Sequence, residues 1–78
     1  MATMTAAVIS VQNGSLLVFD LRSRQRVRVI TRNARCFRPG NFVCIRYNGV
    51  MTLSIPPQIY ATRISRIPPV GSWRNWCR

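Results

Sequence analysis

The sequence predicts an all-β protein, one small and mostly antiparallel barrel of five strands. Three observations carry the prediction. Apolar residues recur with a period of two rather than 3.6. Paired turn residues cut the chain into short segments. Val, Ile, Thr and aromatic residues, which suit a pleated half-buried surface, dominate those segments.

Each element follows from its residues. The first strand is expected over 5–12 (TAAVISVQ). Asn13-Gly14 follows, and this pair predicts a type I′ hairpin, whose two central residues both take positive φ. The second strand is expected over 15–21 (SLLVFDL), with Leu17, Phe19 and Leu21 on one face and Asp20 exposed on the other. A polar link, Arg22-Ser23-Arg24, leads to the third strand over 25–31, where Val27 and Val29 alternate with Arg26 and Arg28. The 32–41 loop holds the turn pair Pro39-Gly40 and has room for no more than one helical turn. In the fourth strand, 42–47, Val43, Ile45 and Tyr47 alternate with Cys44 and Arg46. Asn48-Gly49 is a second hairpin signal. The fifth strand is expected to begin at Val50, to break at Pro56-Pro57, which cannot donate to a ladder, and to resume over 58–67.

Five short strands cannot bury a flat sheet without a second layer, and no segment shows a helical stripe to supply one. The remaining solution is a sheet closed on itself and filled by Val, Ile, Leu and Phe, a small OB-like barrel lacking the usual helix. The barrel domain is expected over 1–67. The remainder, 68–78 (PPVGSWRNWCR), changes composition and reads as an extended tail.

The run 40–49 (GNFVCIRYNG) and the run 50–64 (VMTLSIPPQIYATRI) resemble the ending of small bacterial OB-like proteins, a "G-D-x-V-x-I-x-Y-x-G" strand followed by "S-x-P-P-Q-I-x-A-x-x-I". Asn41 stands where that pattern has Asp. The Asn13-Gly14-Ser15-Leu16-Leu17-Val18 stretch is similar to the first turn of the same group. The resemblance covers about two thirds of the chain. It implies the barrel and no activity. The absence of the usual helix leaves one barrel end to be plugged by the 32–41 loop or by the tail.

Composition bounds the function. The chain has 78 residues, a net charge of +11, twelve Arg, no Lys, no His, and Asp20 as its one acidic residue. Apolar residues make up 47%, enough for a packed core and too many for a disordered chain. A fold this basic repels itself, and something anionic relieves the repulsion. Catalysis is argued against by inventory. There is no His, no Glu and no Lys for acid–base work, and no base beside a Cys nucleophile. Cys36, Cys44 and Cys77 fit no zinc spacing, so Cys44 reads as a small strand residue and the others as incidental thiols. No cofactor is implied. A reducing, cytoplasmic setting fits, with no signal peptide and no apolar run of roughly 20 residues to span a bilayer.

The expected ligand is nucleic acid, single-stranded rather than duplex, or another polyanion. Arg24, Arg26 and Arg28 are expected to form a ridge on one strand face, about 6.5–7 Å apart from the strand rise, a spacing close to that of successive phosphates. Arg22 precedes them. Arg32, Arg35 and Arg38 extend the cationic surface on the loop, and Arg46 faces outward on the fourth strand. Trp73, Arg74 and Trp76 form an aromatic–basic cluster of the kind that stacks bases. Tyr47, Tyr60 and Phe19 read as core or rim packing. Two other readings compete: an assembly barrel docking on an acidic protein, and peripheral binding to anionic membrane through the tail.

Overall fold

The computed structural model describes residues 2–67. The expected tail, 68–78, lies outside the described residues. The chain order is β1 (Ala2–Gln12), β2 (Ser15–Asp20), β3 (Gln25–Ile30), a 3-10 turn (Ala34–Cys36), β4 (Phe42–Tyr47) and β5 (Gln58–Ile67). The strands close into a barrel in the order β1-β2-β3-β5-β4. The all-β, OB-like barrel is therefore present, with one change. The β3–β5 pair that closes it is parallel, from Arg28–Ile30 to Gln58–Tyr60, so the sheet is mixed.

β1 is longer than expected because two strands share it. Ala2–Ala7 pairs with β4 and Ala6–Gln12 pairs with β2. A register shift between Val8 and Ser10 bends it from one partner to the other. At that bend Val8 N donates to Asn41 O at 2.8 Å and Gly40 N donates to Val8 O at 2.9 Å. The β1–β2 turn is as short as expected, Gln12 facing Ser15. It is not type I′, because Gly14 has positive φ and Asn13 does not.

The core is built from alternate residues. Met4, Ala6 and Val8, then Leu16 and Val18, Val27 and Val29, Val43 and Ile45, and Ile59 fill the interior. β2 turns opposite to the sequence expectation. Leu16, Val18 and Asp20 are buried, while Leu17 and Phe19 are half-buried on the outer face and Leu21 is exposed. Both faces of β2 carry apolar residues, so alternation alone does not choose the inner one.

The 32–41 loop plugs one end of the barrel. Its single 3-10 turn buries Ala34, and Phe37 follows it into the same core. Arg38 N donates to Asn41 Oδ1 at 2.9 Å. A side-chain oxygen at position 41 thus holds the end of the loop.

The other end differs from expectation. Asn48-Gly49 makes a bend and not the expected hairpin, with Gly49 at positive φ and Val50 N donating to Asn48 Oδ1. No strand follows it. Residues 48–57 form an arm, and the fifth strand is only the resumed part, Gln58–Ile67. Thr52 N donates to Gln58 O and Gln58 N donates to Thr52 Oγ1, which closes the arm at its base. The Ile55-Pro56 peptide is cis.

Cys44 is disulfide-bonded rather than a thiol, which removes the free-thiol argument for a reducing compartment. Cys36 is exposed and free.

Candidate functional site

The β2–β3 turn comes first, because it decides which arginines share a surface. Asp20 is buried, not exposed as its alternation suggested. Its Oδ1 accepts from Arg22 N at 2.9 Å, its Oδ2 accepts from the Ser23 hydroxyl at 2.7 Å, and its carbonyl accepts from Arg24 N at 2.8 Å. The one carboxylate side chain is thus held by its own turn. Arg24 closes that turn with φ of 58°, in the left-handed region. It is not a strand residue, so the three-arginine ridge reduces to Arg26 and Arg28. Arg22 and Arg24 are exposed on the turn just before it.

Arg26 and Arg28 face outward from β3, opposite Phe19 and Leu17 of β2. The arm 48–57 stands along their other side. Between them lies an open groove of about 750 Å³, walled by Leu17, Gln25, Arg26 and Arg28 on the barrel and by residues 51–57 on the arm. Gln25 Nε2 donates to Met51 Sδ at 3.7 Å across its end. Leu53 and Ile55 are fully exposed at the arm's tip. The groove therefore has two guanidinium groups on one wall and apolar side chains on the other.

The remaining candidates are dispersed. Arg35 and Arg38 are exposed on the plugging loop at the opposite end of the barrel. Arg46 is exposed on β4, and β5 stands between it and β3, so it does not extend the ridge. Its register neighbour on β5 is Arg63, a cationic pair that reading single strands misses. Trp73, Arg74 and Trp76 lie outside the described residues. Arg32 lines a second, smaller cavity together with Tyr60. Tyr60 was expected in the core or rim and is instead 62% exposed on the outer face.

Among the described residues no cluster of three His, Cys, Asp or Glu side chains is placed to hold a metal ion, and no helix is long and apolar enough to cross a membrane. No family model, curated protein or solved structure matches the chain.

Proposed function

We propose that this chain is a non-enzymatic, sequence-tolerant module for binding single-stranded nucleic acid, with the groove between β3 and the 48–57 arm as its central contact. The observation that carries the reading is the pairing of Arg26 and Arg28 with an apolar wall across an open groove. Guanidinium groups take phosphate oxygens through paired hydrogen bonds. The apolar wall takes the faces of unpaired bases, which a duplex keeps stacked out of reach. The net charge of +11 supports the same reading, since it raises the local concentration of any polyanion. In OB folds the strand 2–3 face and the loop between strands 4 and 5 are where oligonucleotides bind.

Titration of the purified full chain with single-stranded DNA, single-stranded RNA and duplex DNA across salt concentration tests this. Tighter binding to a single strand than to duplex or heparin, with steep salt dependence, is the expected result. Equal weak binding to all of them, heparin included, overturns it.

One observation favours a second reading, an acidic extended peptide as partner. β5 pairs with β3 only from Arg28 onward, so Gln25–Val27 has no strand partner on the groove side, and an added strand can hydrogen-bond there. A discrete stoichiometry with an acidic peptide, and none of the single-strand preference, is its signature.

A further inference from the structure

The outer row of β3 does not end at Arg28. Two residues on, Ile30 is half-buried beside Tyr60 of β5, in register across the closing seam. Arg28 is likewise in register with Gln58. Tyr60 therefore stands one two-residue step, about 6.5–7 Å, along the seam from the arginine row. At 62% exposure it keeps most of a large ring in water, so most of its apolar area is left unburied by the barrel.

Beside that ring opens a cavity of about 430 Å³, lined by Ile30, Thr31, Arg32, Asn33, Tyr60 and Thr62 among others. The volume falls within the roughly 300–1,000 Å³ of small-molecule sites. Its polar groups differ in kind. Thr31 Oγ1 accepts from Asn33 N at 3.2 Å, which pins the start of the loop, while the Asn33 side chain makes no capping bond to the 3-10 turn. An amide carries an acceptor and two donors, the complement of a base edge. Arg32 adds a guanidinium for phosphate, and the tyrosine ring adds a stacking face.

We infer that Tyr60, Arg32 and Asn33 form a subsite for one unpaired nucleobase. The base stacks on Tyr60, its phosphate meets Arg32, and Asn33 contacts its edge. A bound strand then follows the β3–β5 seam from the arm groove to this cavity, instead of crossing β2 and β3. The inference rests on the reading that the chain binds single-stranded nucleic acid. It places a base contact where neither the arginine row nor the arm reaches.

The test compares a single-stranded DNA oligonucleotide with an abasic strand of equal length, using the full chain and the variants Tyr60→Phe and Tyr60→Thr. Threonine keeps the strand propensity at this exposed position, and a melting curve checks the fold. The Thr variant is expected to lose about tenfold affinity for the base-bearing strand, the size of one lost stacking contact. Its affinity for the abasic strand is expected to match the parent, and the Phe variant is expected to bind both strands as the parent does. A Thr variant that binds both strands like the parent, or weakens equally on both, overturns the subsite while the nucleic-acid reading stands. A parent chain that binds neither strand overturns the nucleic-acid reading itself.

Discussion

The carboxylate of Asp20 accepts from the Arg22 N–H and the Ser23 hydroxyl, and so shapes the turn that presents β3. Replacing it with Ala removes both bonds, each worth about 1 kcal/mol net. Asp20→Ala is expected to lower the melting temperature by roughly 5–15 °C in a domain of this size, and Asp20→Asn, which keeps one acceptor, by less. An unchanged melting curve would show that the turn holds without its side chain. Arg24 offers the reverse case. An L-residue in the left-handed region costs about 1–2 kcal/mol, and glycine gives back part of that as unfolded-state entropy. Arg24→Gly is expected to raise the melting temperature by about 2–4 °C. It is also expected to weaken nucleic-acid binding less than Arg28→Gln does, because Arg24 sits on the turn and not in the arginine row. A larger loss from Arg24→Gly, measured on the same oligonucleotide, would restore the three-arginine ridge.

At the scale of elements, the 48–57 arm and the 32–41 loop divide the labour. The loop spends its apolar residues, Ala34 and Phe37, on plugging the core. The arm does the opposite and leaves Leu53 and Ile55 fully in water. Side chains that touch nothing contribute little to folding, so Leu53→Ser with Ile55→Ser is expected to change stability by less than about 0.5 kcal/mol per substitution. If the arm covers a bound strand, the same pair is expected to weaken binding by about fivefold, the equivalent of about 1 kcal/mol of apolar burial. Parallel melting and binding measurements separate the two effects, and full affinity in the double variant would detach the arm from the site. The arm was not legible as such in the sequence. VMTLSI has the composition of a strand, and only the prolines after it warned otherwise. Thr52 closes back onto Gln58, six residues away, and that closure turns a strand-like run into a loop.

At the scale of the whole molecule the charge is the dominant quantity. Twelve arginines in a chain of 78 residues attract any polyanion by net charge alone, so affinity by itself would not locate a site. The salt slope does. Neutralising a phosphate of a single strand contributes about 0.7 to the slope of log K against log salt. Arg26→Gln with Arg28→Gln is therefore expected to reduce that slope by about 1.4, whereas Arg35→Gln with Arg38→Gln, at the other end of the barrel, leaves it close to the parent value. Equal reductions from both pairs would mean that binding is a property of the overall charge and not of the groove.

The sequence by itself determined the class of fold, the number of strands, the turns at Asn13-Gly14 and Pro39-Gly40 and the cationic character. Those depend on local quantities: a period of two, Gly and Asn where the chain reverses, proline where a ladder stops, and a simple count of charges. It also placed Val27, Val29, Val43 and Ile45 inward, because Arg26, Arg28 and Arg46 alternate with them and mark the outer face. Only the tertiary structure decided that Leu16 and Val18 face inward and Leu17 and Phe19 outward, since both faces of β2 are apolar and closure of the barrel breaks the tie. It likewise buried Asp20, took Arg24 out of the strand, and separated Arg46 from Arg28 by inserting β5 between β4 and β3. The parallel β3–β5 seam joins residues about 30 positions apart, and no local pattern encodes such a pairing. That seam brings Arg28, Tyr60 and Arg32 along one face, because strand closure, not sequence proximity, sets which side chains become neighbours.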